Sequence, residues 1–492
     1  MQKILFIQTP HYFDGKSRQP EYFPLGIGHL VAELEPLGYE IDVMDIWGHQ
    51  WTHEEVLARL DKLPRYDAIG ISAMSTQYPY VKWLARELKR RQDTPLILGG
   101  ILPTFSAPVV LQNTLIDFCV ISEGEVTLPD LLRNLGSPEK VKGIVYRRNE
   151  AVVGTEPREP IRRLDTLKFA NRDVFPVNVY LKYGTLDGNE PGLMGMKAIN
   201  IDTNRGCPWD CKFCSKTFES VRYRSPKNVR EEIELCMEKY GIQAVYFVDE
   251  LLVVKKSRMY EICQELKPLK IKWQGQARVD TVDLDLLKCM KDAGCVQVGL
   301  GIESGSQQIL DNMRKRSTVK QNLDAIEMCK NVGFDIVLQC IYGYEGENDE
   351  TIAETVKFFK QADVMHEGFF VLTPLPGTEL YDNCLRTGVI KDEDEYLSRL
   401  EAGYNTTREA LVNLTEFTFE EFVGKKAKME KQIEWNYLKR HPFKRVTVRT
   451  AGNNLVKIPF LFAMLGPKWY RWILSADRLG MRESQVAEAK PC

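Results

Sequence analysis

Three cysteines lie close together in the middle of the chain, in the run Cys207-Pro-Trp-Asp-Cys211-Lys-Phe-Cys214. Thiolates are the usual protein ligands of iron-sulfur clusters, and three of them leave one iron of a 4Fe-4S cube open to another ligand. A structural zinc ion is the alternative, but it would need a fourth Cys or His. The next candidates, Cys236 and His366, are far away along the chain. The loop therefore predicts a 4Fe-4S cluster with one open iron.

Short apolar runs alternate with helix-like segments on both sides of this loop, which indicates an α/β protein. Residues 1–140 predict a Rossmann-like doubly wound parallel sheet with helices on both faces. Residues 196–395 predict six strand-helix units that form a partial (β/α)6 barrel of the TIM type. Between them, residues 141–195 are expected to be a linker with one hairpin, and residues 396–492 a mainly helical C-terminal region.

Charged, polar and small residues follow the expected barrel strands, at the ends where parallel sheets bind ligands. In chain order these residues are Asp249, Glu250, Arg278, Glu303, Ser304 and Gly343. Any one of the charged residues could form a structural ion pair or cap the next helix. Their regular succession behind the cysteine loop favours one common binding site.

The cysteine spacing, with the aromatic Phe213 before the last cysteine, resembles the cluster loop of the radical S-adenosylmethionine (SAM) superfamily. The segments FVDE, WQGQARVD, GLGIESGS, IYGYEGE and LTPLPGTELYD follow in the order of that family, although Tyr344 and Glu345 replace its usual apolar residue and proline. The resemblance implies a 4Fe-4S cluster on the three cysteines. It also implies SAM contacts from Phe213, Asp249, Glu250, Arg278, Glu303, Ser304 and Gly343.

The first 395 residues together resemble radical SAM proteins with an N-terminal cobalamin-binding domain, through the segments PLGIGHL and SEGEVTL and a Gly-Gly pair. The resemblance implies cobalamin contacts from Thr9, Pro10, Leu25, Gly26, Ser72, Ser75, Gly99, Gly100, Glu123, Gly124 and Glu125. The D-x-H-x-x-G motif, which supplies a cobalt-binding His in many cobalamin proteins, is missing, since Asp45 and His49 are wrongly spaced. We expect cobalamin to bind without a His ligand. A domain that has lost cobalamin and only supports the barrel is the alternative.

The resemblance implies an enzyme that cleaves SAM reductively to a 5'-deoxyadenosyl radical, and cobalamin-dependent C-methylation of an unactivated carbon is the leading hypothesis. A radical cyclase or rearrangement enzyme acting on a lipid or tetrapyrrole is the alternative within the superfamily. A non-catalytic iron-sulfur electron carrier is the alternative outside it. The implied partners are a small-molecule or lipid-like substrate and an external one-electron reductant such as flavodoxin or ferredoxin. No residue is assigned as a catalytic base.

Composition limits the remaining function classes. The 66 basic and 68 acidic residues nearly cancel, so the net charge gives no reason to expect nucleic acid as the main partner. No secretory signal is visible and the twelve cysteines are scattered, which indicates a cytoplasmic protein. Residues 450–475 are aromatic and follow a basic stretch, so we expect them to touch an apolar substrate or an anionic membrane surface. Packing of these aromatics over the barrel or the N-terminal domain is the alternative.

Overall fold

The structure is a computed structural model that describes residues 2–441 apart from 14–15, 18, 185, 187–192, 194, 219, 367 and 404–409. The aromatic segment at 450–475 lies outside the described residues, so its contact with a membrane or a substrate stays a prediction. Among the helices of the described ranges, none is both long and apolar enough to cross a membrane.

The N-terminal domain is organised around one large sheet. Its strands are β1 (Lys3–Gln8), β2 (Tyr12–Phe13), β3 (Lys16–Ser17), β4 (Glu40–Asp45), β5 (Ala68–Ser72), β6 (Leu96–Gly99), β7 (Phe118–Val120), β8 (Ile144–Arg148) and β9 (Ala151–Gly154). Seven of them form one sheet in the order β4-β1-β5-β6-β7-β8-β9. The first five are parallel, which confirms the Rossmann-like sheet, while β8 pairs antiparallel with β7. The hairpin of the expected linker thus extends this sheet, and the domain boundaries stay a prediction.

Helices cover both faces of this sheet. They are α1 (Leu25–Leu34), α2 (Ile46–His49), α3 (His53–Leu60), α4 (Tyr78–Arg91), α5 (Ile101–Asn113), α6 (Gly124–Arg133) and α7 (Val177–Tyr183). Successive side chains of a strand point to opposite faces, so Ile4 and Phe6 enter one hydrophobic core and Leu5 and Ile7 enter another. An apolar strand of this kind is what a sheet covered on both faces requires.

The second domain is a parallel sheet with a small hairpin beside it. Its strands are β10 (Ala198–Ile201), β11 (Asn204–Arg205), β12 (Arg222–Tyr223), β13 (Ala244–Phe247), β14 (Lys272–Ala277), β15 (Cys295–Glu303), β16 (Asp335–Tyr342) and β17 (Phe370–Val371). Six of them form a parallel sheet in the order β10-β13-β14-β15-β16-β17, which confirms the partial (β/α)6 barrel. The antiparallel pair β11–β12 closes the base of the cysteine loop.

The helices of this part follow the strands in alternation and continue into the C-terminal region. They are α8 (Pro226–Tyr240), α9 (Lys256–Leu266), α10 (Leu284–Asp292), α11 (Gln307–Asn312), α12 (Val319–Val332), α13 (Asp349–Ala362), α14 (Glu379–Arg386), α15 (Glu393–Gly403) and α16 (Phe419–Arg440). Ser225, Asp283, Thr318 and Asn348 accept backbone hydrogen bonds at the starts of α8, α10, α12 and α13. These caps satisfy N–H groups that a helix leaves unpaired, and so they set where each strand-end loop stops.

The C-terminal helices join the two domains. Helix α15 reaches the N-terminal domain, where Asp394 accepts a hydrogen bond from Lys82 Nζ at 2.7 Å. Helix α16 packs on the barrel, and its Phe422 carbonyl accepts from the Tyr342 hydroxyl at 2.8 Å. The described part of the C-terminal region is therefore helical, as predicted.

Candidate functional site

The cysteine loop is closed at its base by backbone contacts. Gly206 has a φ of +99°, and a Cβ there would lie 2.5 Å from a backbone oxygen across the loop, so only glycine fits. The Cys207 N–H donates to the Phe218 carbonyl at 3.3 Å, and the Cys214 N–H donates to the Cys211 carbonyl at 3.2 Å. These bonds fold the loop back on itself around the three thiols.

The three thiols are free, with Cys207 and Cys211 half-buried and Cys214 exposed. Burial raises the pKa of the Cys207 thiol, and the negative charges of Glu250 and Cys211 raise it further, while Arg278 opposes the shift. Positive irons would remove this penalty because thiolates are the form that binds metal.

The spacing of the thiols also bears on which metal group they fit. Among the described residues, no three His, Cys, Asp or Glu side chains gather closely enough to hold a single metal ion. A 4Fe-4S cube takes its protein ligands on separate irons, whereas a structural zinc ion takes four ligands on one metal.

Arg278, at the end of β14, lies against this loop. Its Nη1 is 3.8 Å from Cys211 Sγ, and its guanidinium carbon is 4.7 Å from the centre of the Trp209 ring. Two further hydrogen bonds fix the guanidinium: Nε donates to Asp280 Oδ1 at 2.9 Å, and Nη2 donates to the Lys315 carbonyl at 2.6 Å. These bonds keep it in contact with the cysteine loop.

Glu303 ends β15 beside the cysteine loop. Its φ is +59°, and the pairing of β15 with β16 is irregular at this point. Its Oε1 accepts a hydrogen bond from Lys315 Nζ at 2.5 Å, and both side chains are buried. The same Nζ lies 5.9 Å from the centre of the Phe213 ring. Ser304, the next residue, accepts from the Ser306 N–H at 3.1 Å and turns the chain into α11.

Lys315 is a site residue that the sequence reasoning missed. It points inward between two residues with left-handed backbone, Arg314 at φ +55° and Arg316 at φ +57°. Those two arginines form solvent-exposed ion pairs, Arg314 with Glu379 at 2.9 Å and Arg316 with Asp210 of the cysteine loop at 2.8 Å. Left-handed backbone costs non-glycine residues about 1–2 kcal/mol each, and such strain clusters at functional sites. The run Arg-Lys-Arg by itself is typical of a solvated stretch and carries no signal of a buried lysine.

Two glycines of β15 lie next to the ion pair of Glu303 and Lys315. Gly299 and Gly301 are two residues apart, so their missing side chains would point to the same face. A Cβ on Gly301 would lie 2.7 Å from Glu303 Oε1 and 2.9 Å from Lys315 Nζ, whereas one on Gly299 would come no closer than 3.4 Å to Gln276.

We expect Gly301→Ala to displace the Glu303–Lys315 pair and to weaken SAM binding by about tenfold, which corresponds to about 1.4 kcal/mol. Gly299→Ala is the matched control, and we expect its SAM affinity to match that of the parent. Anaerobic equilibrium dialysis with labelled SAM measures both. Equal affinities for the two variants would contradict a role of the pair in SAM binding.

Asp249 and Glu250 follow β13 but have different surroundings. Asp249 Oδ1 accepts the N–H groups of Thr203 and Asn204, both at 2.6 Å. Its Oδ2 is buried without a hydrogen-bond partner among the described residues, and burial raises the pKa of this carboxyl to about 7. Glu250 is exposed and accepts from the Thr217 N–H at 3.4 Å, just after the last cysteine. Asp249 therefore anchors the chain that enters the cysteine loop, and the SAM contacts of both residues stay predictions.

Gly343 ends β16 under the C-terminal helix α16. Its φ is +92°, and a Cβ there would lie 2.6 Å from the Phe422 ring. Its N–H donates to Glu347 Oε2 at 2.5 Å. Burial raises the pKa of the Glu347 carboxyl to about 7. The buried Glu347 carboxyl thus fixes the turn after β16, and the SAM contact of Gly343 stays a prediction.

The raised pKa of Glu347 predicts how stability depends on pH. The folded protein keeps a proton that the unfolded chain releases near pH 4.5, so this contribution to stability is lost as the pH rises through about 7. We expect Glu347→Gln to melt at a higher temperature than the parent at pH 8. The melting temperature of the parent should fall between pH 5 and 8, and that of Glu347→Gln should fall less. Thermal unfolding monitored by fluorescence measures this, with the exposed Glu345→Gln as control. A lower melting temperature of Glu347→Gln at pH 8 would contradict the assignment.

The residues predicted to bind cobalamin lie at the carboxyl ends of the N-terminal strands. Thr9 Oγ1 donates to the Ser72 carbonyl at 2.8 Å, which joins the loops after β1 and β5. The Ala73 N–H donates to the Gly99 carbonyl at 3.1 Å. Gly100 has a φ of +96°, and a Cβ there would lie 2.6 Å from the Ala73 carbonyl oxygen. Hydrogen bonds and close backbone contacts therefore hold three of the predicted loops together.

Further predicted residues lie at the same ends of the sheet. The Pro10 carbonyl accepts from Gln77 Nε2 at 2.9 Å, and Ser75 is buried in the turn before α4. Leu25 and Gly26 begin α1. A Cβ on Gly26, or on the glycine that ends β6, would meet no atom within 4 Å. Both glycine positions are therefore open, and the cobalamin contacts of these residues stay predictions.

Glu123 and Glu125 are paired with arginines of the barrel. Glu123 Oε1 accepts from Arg205 Nη1 at 2.7 Å, and its Oε2 accepts from Arg222 Nη1 at 2.8 Å. Glu125 Oε1 accepts from Arg205 Nη2 at 2.6 Å, and Gly124 lies between the two acids at the start of α6. The sequence did not predict this domain contact, and the cobalamin contacts of the three residues stay predictions.

Known proteins resemble the chain in both domains. A model of the radical SAM superfamily matches residues 201–359, and a model of the B12 binding domain matches residues 14–132. The chain is 29% identical over 377 residues to an uncharacterised methyltransferase of Pyrococcus horikoshii, covering 75% of this chain and 79% of that protein. It is also 29% identical over 397 residues to the anaerobic magnesium-protoporphyrin IX monomethyl ester cyclase of Rubrivivax gelatinosus, covering 77% of this chain and 69% of the cyclase.

A solved structure shares the fold. It is the radical SAM methyltransferase TsrM of Kitasatospora setae with cobalamin and a 4Fe-4S cluster bound, with a TM-score of 0.64 at 16% identity. The match covers 78% of this chain and 75% of that one, so it includes both domains. The motifs, the barrel and the two matching family models agree that the chain contains a radical SAM domain with a B12 binding domain in front of it.

Proposed function

We propose that this protein is a cobalamin-dependent radical SAM enzyme that methylates an unactivated carbon of a small-molecule substrate. The observation that carries the proposal is the contact between the two domains at the cysteine loop, where Glu123 and Glu125 hold the residues that flank the three cysteines. This contact brings the predicted cobalamin loops and the predicted cluster loop to one place. A protein that only carried electrons would need the cysteines but not this arrangement.

The residues present fit the three cofactors of such an enzyme. Cys207, Cys211 and Cys214 would hold the 4Fe-4S cluster, and the strand ends of the barrel and of the N-terminal sheet would hold SAM and cobalamin respectively. Bound together, these groups supply one-electron cleavage of SAM and a transferable methyl group. The protein's own contribution is to place the reacting carbons next to each other and to exclude water.

Three side chains of the barrel have defined tasks in this proposal. Arg278 holds a positive charge against the cysteine loop at Cys211 Sγ, where it would face the negative charge of the thiolate-bound cluster. Lys315 lies between Glu303 and the cysteine loop, where its ammonium would pair with the carboxylate of SAM. Glu303, fixed by that lysine, would accept hydrogen bonds from hydroxyl groups of SAM, and no residue is assigned as a catalytic base.

The proposal includes partners and a location. An external one-electron reductant is required, and flavodoxin or ferredoxin would serve because both are small electron carriers. We propose a cytoplasmic protein, and the net charge gives no reason to expect nucleic acid as a partner. In its more specific form, the proposal adds a lipid-like substrate and peripheral membrane contact through the C-terminal region.

A radical cyclase is the second candidate function. The relative from Rubrivivax gelatinosus, a cyclase, is as similar to the chain in identity as the methyltransferase relative is. The fold and the cysteine loop serve both reactions, so only the product separates them.

The experiment starts from anaerobic protein reconstituted with iron, sulfide and cobalamin. It is reduced and incubated with SAM carrying a deuterated methyl group and a candidate substrate pool. Methylation predicts both 5'-deoxyadenosine and a product that carries the deuterated methyl group. A cyclase predicts 5'-deoxyadenosine with an unlabelled new product, and an electron carrier predicts no 5'-deoxyadenosine.

We also predict that cobalamin binds without a histidine on cobalt. His49 is exposed at the end of α2 and stacks on Trp51 with 4.5 Å between ring centres, so a neighbouring side chain already engages its ring. We expect His49→Ala to bind cobalamin as tightly as the parent, with the same absorption and electron paramagnetic resonance (EPR) spectra. Spectra that change with this substitution would overturn the prediction.

A further inference from the structure

The base of the cysteine loop carries two arginines that face each other. Arg205 and Arg222 are directly paired in the hairpin β11–β12. Like charges at directly opposite positions destabilise a strand pair unless a carboxylate lies between them. Glu123 of the N-terminal domain takes that place, because it accepts from Arg205 Nη1 at 2.7 Å and from Arg222 Nη1 at 2.8 Å. The nearest carboxylate to both arginines therefore comes from the other domain, since Asp202 of the barrel is 3.8 Å from Arg205 Nε.

This contact is largely removed from water. The side chains of Arg222 and Glu123 are 9% and 8% exposed, and that of Arg205 is 18% exposed. Within the described residues Arg222 donates only to Glu123 and to the Ile161 carbonyl, and its Nε and Nη2 are buried without partners. Its guanidinium carbon lies 4.1 Å from the centre of the Phe218 ring. Loss of Glu123 would leave Arg222 buried with a single carbonyl as its acceptor.

The contact joins the two cofactor loops by a short path. On the barrel side, Arg205 lies two residues before Cys207, whose N–H donates to the Phe218 carbonyl. On the other side, Glu123 is the N-cap residue of α6 and follows Ser122, which has a φ of +62°. The loop of Ser122 and Glu123 follows β7, at the carboxyl ends of the strands where cobalamin is predicted to bind. A shift of this loop would therefore be transmitted to the base of the cysteine loop.

We propose that Glu123, Glu125, Arg205 and Arg222 are positioning residues that couple the cobalamin loop after β7 to the cysteine loop. The inference rests on the proposed function, because it assumes a cofactor on each side of the contact. Its consequence is that cobalamin binding changes the surroundings of the cluster. Breaking the pairs should uncouple the two sites when the proteins are compared at equal cofactor content.

The test compares the parent with Glu123→Gln, which keeps the shape of the side chain and removes its charge. Both proteins are reconstituted anaerobically, and iron and cobalamin contents are measured. The EPR spectrum of the reduced cluster with SAM is then recorded before and after cobalamin is added. We expect a cobalamin-dependent change in the parent that is lost in Glu123→Gln at equal iron and cobalamin contents. We also expect the ratio of methylated product to 5'-deoxyadenosine to fall by at least about fivefold, the lower end of usual coupling effects.

Two further variants keep the test decisive. Glu125→Gln removes the negative charge that meets Arg205 Nη2 and leaves Glu123 in place, so it replaces Glu123→Gln if that variant does not fold. Glu156→Gln is the control, because Glu156 pairs with Lys142 on the surface, with side chains 69% and 53% exposed. A parent-like EPR response and product ratio in both acidic-residue variants would overturn the coupling. A parent that makes no methylated product would refute the proposed function, while the spectra would still test the contact.

Discussion

Replacing Cys207, Cys211 or Cys214 by Ala is expected to abolish assembly of the 4Fe-4S cluster, because each thiolate would be one of the three predicted protein ligands. Production of 5'-deoxyadenosine should fall to the background without enzyme, a loss on the order of 10⁶-fold or more if the enzyme shows a usual acceleration. Iron and sulfide analysis, the EPR signal of the reduced cluster and chromatography of the nucleoside product measure the effect.

The matched control is a cysteine from the helical layer of the barrel. Cys236 on α8 and Cys329 on α12 are at most 1% exposed and lie in the hydrophobic core, so their replacement by Ala should cost stability alone. Both variants should keep full iron content and normal SAM cleavage at temperatures where they remain folded. Full iron content in a variant of the cysteine loop would show that the ligands are other residues.

Lys315→Met is expected to have the second largest effect, because it leaves the Glu303 carboxylate buried without its cation. Both side chains of this pair are at most 8% exposed, and the two atoms are 2.5 Å apart. Breaking a buried ion pair by removing one partner costs about 3–5 kcal/mol. We expect SAM affinity to fall by about 100-fold, equivalent to about 2.7 kcal/mol, with normal iron content. Anaerobic titration of the reconstituted protein with SAM measures the affinity.

Two controls separate a binding role of Lys315 from a structural one. Lys320→Met removes a lysine that is 81% exposed and should leave SAM affinity unchanged. The double variant Glu303→Gln with Lys315→Met removes both charges, so it should recover stability but not SAM affinity. A double variant that binds SAM like the parent would show that the pair serves only to hold the fold.

Much of the architecture could be predicted from local patterns in the chain. The spacing of Cys207, Cys211 and Cys214 carries its own chemistry, because three thiols within eight residues must meet around one group. The alternation of apolar runs and amphipathic segments predicted the parallel sheet and the six barrel strands, since strand and helix periods are properties of short stretches. The same local patterns predicted that the polar residues after each strand lie at one end of the barrel.

Only the tertiary structure decided how these parts work together. Lys315 points inward because Arg314 and Arg316 adopt left-handed backbone. Surrounding contacts must stabilise this strained backbone, and the residue types at these positions do not predict it. Glu123 pairs with Arg205 and Arg222 across 82 and 99 residues of chain. Such pairs depend on how the two domains pack against each other. Neither the hydrophobic period nor the composition of a short segment predicts that packing. The sequence by itself therefore determined the fold class, a Rossmann-like sheet followed by a partial barrel, and predicted the cluster ligands. Long-range packing determined the ion pairs beside the cysteine loop.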